Sequence, residues 1–125
     1  MRIKCITTFH QPGLEEYGQR LIDSWAKNVH PAVELVVYAE DCIPVVPPGA
    51  NIKVVNAKEV LPKLNAFKER HKDDPKANGI CPWPARRPRD HHKKFKWDAV
   101  RFANKTYAVF EAAQDPNTDI LVWID

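Results

Sequence analysis

The chain has 125 residues, of which 44% are hydrophobic and 28% are charged, and these proportions exclude a disordered or fibrous protein. A chain of this length is expected to form one domain, which buries roughly two thirds of the surface that it exposes when unfolded. The net charge of +3 is too small to indicate nucleic-acid binding by itself.

The three cysteines indicate the cellular compartment. Cys5, Cys42 and Cys81 stand at wide spacings and form neither a CxxC motif nor the compact framework of a secreted domain. We therefore expect a cytoplasmic protein with reduced thiols. The apolar run near the N-terminus is too short for a signal peptide, and the sequence has no apolar stretch of the roughly 18 residues that a membrane span needs.

The first half of the sequence predicts strands that are separated by a helix and an irregular segment. A run rich in β-branched residues predicts a strand over residues 2–9, and "HQPG" ends it. An amphipathic helix over residues 13–28 is predicted by apolar residues at helical spacing, namely Leu14, Tyr17, Leu21, Ile22 and Trp25. Apolar runs over residues 33–39 and 51–57 predict two more strands, with a proline-rich connection between them.

The second half begins with a short helix and a long loop. Pro62 suits the first turn of a helix whose apolar stripe is Leu61, Leu64 and Phe67. Residues 72–94 lose this periodicity and contain four prolines and one glycine, so we expect a long, basic surface loop.

A helix and a strand close the chain. The helix is predicted over residues 95–113 by an apolar stripe of Phe102, Thr106, Val109, Phe110 and Ala113. Pro116 ends it, and "TDILVWID" then predicts a strand over residues 120–124 that leads directly to Asp125. This order of elements predicts an α/β layered domain with a mostly parallel sheet of about four strands.

Two strand ends carry polar side chains where a parallel sheet binds its ligands. Thr7, Thr8 and Phe9 precede a helix start and offer hydroxyls and an aromatic ring to a planar or phosphorylated ligand. Asp125 follows a buried strand, and a carboxylate held in this way suits a divalent cation with oxygen ligands. From local chemistry alone, a solvated C-terminal residue explains Asp125 equally well.

The last helix carries charged residues on one face. Asp98, Arg101 and Lys105 stand at positions i, i+3 and i+7, and all three are candidate cofactor-binding residues. The two cations lie close enough together to hold a diphosphate. A solvated helix face with a weak pair between Asp98 and Arg101 is the alternative explanation for this spacing.

The basic segment over residues 86–96, "RRPRDHHKKFK", supports a second function class. Its cations stand beside Phe95 and Trp97, and such clusters can follow a nucleic-acid backbone. We favour a basic loop that leads into a helix, because no recognised nucleic-acid module accompanies it. Cys81, His91 and His92 match no standard zinc spacing.

Two segments, "KFKWDAVRFANKTYAVFEAA" and "DILVWID", resemble the GT-A-type glycosyltransferases, in particular uncharacterised bacterial and phage proteins of that fold. In this family, a helix with aromatic, Arg and Lys residues precedes a hydrophobic strand that runs into an Asp-X-Asp motif. The resemblance implies a Rossmann-like three-layer domain, namely the nucleotide-sugar-binding N-terminal half of such an enzyme, cut at the first Asp of its motif.

The resemblance also assigns roles to the candidate residues. It implies that Asp125 helps to hold Mn or Mg on the nucleotide-sugar diphosphate, that Arg101 and Lys105 face the donor, and that the first strand end lines the nucleotide pocket. We therefore expect the donor-binding half of a nucleotide-sugar-dependent glycosyltransferase with metal-assisted transfer to an unknown acceptor.

The family pattern also places the second Asp and the acceptor-binding half after Asp125, so the 125-residue chain is expected to be inactive alone. The last strand would leave an apolar edge that favours pairing with a second copy. The alternative is a non-catalytic module that contacts nucleic acid or another anionic partner through residues 86–96.

Overall fold

The computed structural model describes residues 1–81 and 97–125 of the chain. In chain order the described elements are β1 (Ile3–His10), α1 (Gln11–Gly13), a π-helical segment (Leu14–Gly18), α2 (Gln19–Asn28), β2 (Glu34–Glu40), β3 (Ile52–Asn56), α3 (Ala57–Val60), α4 (Pro62–His71), a 3-10 helix (Pro75–Ala77), α5 (Ala99–Ala112) and β4 (Ile120–Trp123). Most of the loop predicted over residues 72–94 lies outside the described residues.

The four strands form one parallel sheet in the order β3-β2-β1-β4. The chain first adds β2 and β3 on one side of β1, and it then crosses back to place β4 on the other side. The strand order therefore reverses between β1 and β4. This arrangement confirms the predicted α/β, Rossmann-like domain with a parallel sheet of four strands.

Helices cover both faces of this sheet. On one face, Leu35 and Val37 of β2 pack in a cluster with Ile22 and Trp25 of α2. On the other face, Val36 and Tyr38 pack in a cluster with residues from α3, α4 and α5. A strand that is buried on both faces needs apolar side chains at successive positions, which explains the continuous apolar run of β2.

Helix caps shift two of the predicted boundaries. The first helical stretch begins at Gln11 rather than residue 13, because the His10 imidazole accepts a hydrogen bond from the Gly13 amide (3.4 Å). The last helix begins at Ala99 rather than residue 95, because the Asp98 carboxylate accepts one from the Arg101 amide (3.3 Å). The short helix α3 was not predicted; Asn56 caps it in the same way.

The predicted apolar stripe of α5 is wrong. Phe102 is 49% exposed and Phe110 is 66% exposed, whereas the buried residues of α5 are Ala103, Ala108 and Ala112. Alanines on the inner face allow the helix backbone to lie close to the sheet, and the larger side chains are left on its outer side. Hydrophobicity alone therefore selected the wrong face.

A cluster of charges fixes the start of β1 to the turn that precedes β4. Lys4 is buried, and its ammonium donates to Asp115 Oδ2 at 2.6 Å. The Thr118 hydroxyl donates to the same oxygen, and the Arg2 amide donates to Asp119. The hydrogen bond from Lys4 holds the pKa of Asp115 well below its usual range. The cluster therefore stabilises the crossing that brings β4 beside β1.

β4 forms one edge of the sheet, and Ile120 and Val122 are about two-fifths exposed on it. Pairing of this edge with a second copy stays a prediction.

Within residues 1–81 and 97–125, no helix combines the length and the apolar character that crossing a membrane requires.

We predict that Asp115→Asn lowers the thermal midpoint Tm at pH 7, because it removes the charge that faces buried Lys4. Since the pKa of Asp115 is lowered in the folded state, its stabilisation is complete above about pH 4, the usual pKa of an unfolded aspartate, and is lost as the pH falls further. Thermal scans from pH 7 to pH 2.5 should show the two proteins converging at low pH. Asp73→Asn, at an exposed turn position, is the control that changes charge alone. An unchanged gap at low pH would contradict the prediction.

Candidate functional site

A cavity of about 310 Å³ lies beyond the carboxyl ends of β1 and β4, where the strand order reverses. This crevice is where open parallel sheets bind their ligands. The last residue pair in the β1–β4 register is Ile6 with Trp123, so residues 7–10 of β1 extend past β4 and form one wall. Residues from α5 and from the end of β4 form the opposite wall.

The structure brings together six of the seven predicted site residues. Those lining the cavity are Thr7, Thr8, Phe9, Arg101, Lys105 and Asp125. Asp98 is not among the lining residues, because its carboxylate caps the first turn of α5. Its observed contact is thus structural, and it sets where the helix that carries Arg101 and Lys105 begins.

The β1 side chains form a wall of the cavity, but their polar groups are buried or already hydrogen-bonded. Thr7 is 2% exposed, and the Thr8 hydroxyl donates to the Tyr38 carbonyl oxygen at 2.8 Å. The Phe9 ring is buried and packs under Gly18, where a Cβ atom would come within 3.0 Å of the ring. Glycine at position 18 therefore allows the π-helical segment to lie against the end of β1.

The α5 wall is positively charged. Arg101 and Lys105 lie one helical turn apart, and both are exposed at the cavity. Lys105 Nζ lies 3.9 Å from Asp125 Oδ1 and 5.0 Å from the centre of the Trp123 ring. The cavity also contains the Glu40 carboxylate, which pairs with Lys68 at 2.8 Å. The lining has two cations, Arg101 and Lys105, and two carboxylates, Glu40 and Asp125. Because Lys68 neutralises Glu40, one positive charge is left in excess, which favours an anionic ligand.

Sequence reasoning overlooked several lining residues: Tyr17, Glu40, Phe102, Asn104 and Trp123. Three of them carry a signal that was available. Glu40 ends the second strand at the same sheet edge as Thr8, and Trp123 stands two residues before Asp125, which places both side chains on one face of an extended segment. Asn104 carries a third signal, because it stands three residues after Arg101 and so lies on the same face of the helix.

Asn104 has an unpaired buried oxygen. Its Nδ2 donates to the Arg101 carbonyl oxygen at 3.0 Å, and this bond sets the orientation of the amide. Oδ1 is buried and has no hydrogen-bond partner among the residues that the structure describes. Such an acceptor is costly, because it has lost its bonds to water without replacement.

The described residues offer a divalent cation one exposed carboxylate, so tight binding would need phosphate oxygens as well. Residues 1–81 and 97–125 contain no group of three or more metal-ligating side chains. Asp125 offers one exposed carboxylate at the cavity rim, and Mg²⁺ or Mn²⁺ commonly takes one or two carboxylates together with phosphate oxygens. Of the zinc candidates, His91 and His92 lie outside the described residues, as does the whole basic segment 86–96.

A second cavity of about 950 Å³ lies between α4 and α5 and is mainly apolar. Its lining residues include Leu61, Phe67, Tyr107 and Phe110. Phe102 lines both cavities, so the apolar groove adjoins the charged cavity along the outer side of α5.

Comparison of the chain with protein-family models, with curated proteins and with solved structures gave no match. Support for the candidate site therefore comes from its geometry. Residues from five separate parts of the chain meet at the reversal of strand order, and their polar side chains converge there.

We predict that Asn104→Leu stabilises the ligand-free chain by about 1 kcal/mol, because it removes a buried acceptor without a partner and places a better helix former in α5. Asn65→Leu in α4 is the matched control: the Asn65 amide donates to the Lys58 carbonyl oxygen at 2.7 Å, and its loss should destabilise the protein. Urea unfolding measures both free energies. If Asn104→Leu proves as destabilising as Asn65→Leu, the Asn104 oxygen has a partner that the geometry does not reveal.

Proposed function

We propose that the chain is the donor-binding half of a nucleotide-sugar-dependent glycosyltransferase of GT-A type. The observation that carries the proposal is the convergence of Thr8, Arg101, Lys105 and Asp125 on one cavity at the reversal of strand order. Nucleotides bind at this position in other open parallel sheets. The excess of positive charge on the α5 wall suits a diphosphate.

Each wall would contact a different part of the nucleotide. Arg101 and Lys105 would bind the diphosphate oxygens, because both are cations that face the cavity from one helix. Glu40 would accept hydrogen bonds from ribose hydroxyls, as acidic residues at the end of a second strand do in dinucleotide-binding sheets. Asn104 Oδ1 would gain the donor that it lacks if a ligand N–H or O–H reached it.

Asp125 would hold Mn²⁺ or Mg²⁺ together with the bound diphosphate. When bound, the cation would supply Lewis-acid stabilisation of the charge that develops on the departing nucleoside diphosphate. The protein groups around it would keep the diphosphate oriented and compensate the remaining charge. The unknown acceptor and the transfer step would need groups beyond those described.

We also propose a cytoplasmic location. Cys5, Cys42 and Cys81 are all free thiols, and thiols in this state persist in a reducing compartment.

We predict that UDP or GDP with Mn²⁺ raises Tm, and that Arg101→Ala and Lys105→Ala each remove most of this rise. At a ligand concentration of 100 times Kd, binding to the folded state alone contributes about 2.7 kcal/mol. Thermal shift assays with each nucleotide, with and without Mn²⁺, measure the effect. Lys27→Ala is the matched control, because Lys27 lies in the last turn of α2 and outside the cavity lining. This variant also loses one cation, and it should keep the rise in Tm.

Two outcomes would contradict this proposal. One is the absence of a shift with every nucleoside diphosphate tested, and the other is an equal shift in the Arg101→Ala and Lys27→Ala variants. A salt-dependent affinity for an RNA or DNA oligonucleotide, lost when Arg86, Arg87, Lys93 and Lys94 are neutralised together, would favour the non-catalytic alternative instead.

A further inference from the structure

The side chains of Trp123 and Asp125 can contact each other because side chains alternate between the two faces of a strand. They are two residues apart in an extended segment, so both point to the face of the sheet that α5 covers. The Trp123 indole Nε1 donates to Asp125 Oδ1 at 2.5 Å. The Asp125 side chain is 90% exposed. Within the described structure, this hydrogen bond is therefore the main constraint on its carboxylate.

Lys105 approaches the same two residues from α5. Its ammonium lies over the Trp123 ring, 5.0 Å from the centre, and 3.9 Å from Asp125 Oδ1. That distance is too long for a hydrogen bond but short enough for an ion pair. Lys105 is half exposed, and exposed ion pairs of this kind are weak. The ammonium can therefore leave the carboxylate at little cost when a stronger anion enters the cavity.

We propose that Trp123 is a positioning residue that fixes the Asp125 carboxylate for a cation, and that Lys105 is the counter-ion of this carboxylate until a diphosphate binds. The observed contacts of both partners are to Oδ1, which leaves Oδ2 as the oxygen that takes the cation. This inference rests on the proposed function, because it concerns how the same site receives a cation and a diphosphate.

The arrangement gives the two residues opposite effects on cation binding. Loss of the indole N–H frees the carboxylate to rotate, so the affinity for a cation should fall. Loss of the Lys105 charge removes a positive group beside the carboxylate, so the affinity for a cation alone should rise. Lys105 also attracts the diphosphate, so its loss should weaken the binding of that anion. A purely structural role for these side chains predicts no such difference in sign.

The test measures Mn²⁺ binding to the protein by equilibrium dialysis, with Mn²⁺ alone and with the preformed complex of Mn²⁺ and inorganic pyrophosphate. Trp123→Phe keeps an aromatic ring under Lys105 but removes the N–H donor, and it should weaken Mn²⁺ binding in the presence of pyrophosphate by about tenfold. Lys105→Met should bind Mn²⁺ alone about threefold more tightly and pyrophosphate less tightly. Lys27→Met makes the same charge change outside the cavity lining and should change neither affinity.

Asp125→Asn separates this inference from the function on which it rests. If Asp125→Asn binds Mn²⁺ and pyrophosphate as the parent chain does, the proposed cation site is wrong. If Asp125→Asn loses Mn²⁺ binding but Trp123→Phe does not, the cation site stands and the positioning role of Trp123 is overturned.

A double-mutant cycle excludes a general loss of structure. Trp123→Phe should have no further effect on Mn²⁺ binding in the Asp125→Asn background, because the indole acts only through the carboxylate. An equal loss in both backgrounds would overturn the inference, since the indole would then affect Mn²⁺ binding without acting through the carboxylate. Circular dichroism and Tm confirm that each variant is folded before binding is measured.

Discussion

The parallel pairing of β4 with β1 brings together the side chains of the candidate site. Without the crossing that places β4 on the free side of β1, Asp125 and the residues of β1 would lie at separate edges of the sheet. The cluster of Lys4, Asp115 and Thr118 stabilises this crossing at the opposite end of the strands. Its position there allows strong charge pairing to hold the fold while the charges of the cavity stay available to a ligand.

The close packing of α5 against the sheet positions the second wall of the cavity. Small side chains at Ala103, Ala108 and Ala112 let the helix lie over β1 and β4, which places Arg101 and Lys105 at the cavity. The same closeness moves Phe102 and Phe110 to the outer side, where they line the apolar groove beside α4. One packing choice therefore produces both the charged wall and the exposed apolar surface.

The sequence was most informative where a single physical rule governs position. Parallel strands share one carboxyl edge, so Thr8 and Asp125 were predictable as neighbours although they are far apart in the chain. Helical spacing likewise predicted that Arg101 and Lys105 share a face. The sequence was less informative where two rules competed: Asp98 was predicted to bind a cofactor because of its charge, whereas its observed contact is the cap of α5. The inner face of α5 was unpredictable for a related reason, because closeness of packing outweighs hydrophobicity there.

In the ligand-free chain, two carboxylates of the cavity have partners and one buried amide oxygen has none. Lys105 shares the Asp125 carboxylate with the Trp123 indole, Glu40 is paired with Lys68, and Asn104 keeps one oxygen without a partner. Lys105, Asn104, Glu40 and Trp123 stand on helices and strands, so their backbones are already ordered when a ligand arrives. The remaining change is an exchange of partners among the side chains. A ligand that offers both an anion for the cations and a donor for the unpaired oxygen would gain most from that exchange, and a nucleoside diphosphate has both.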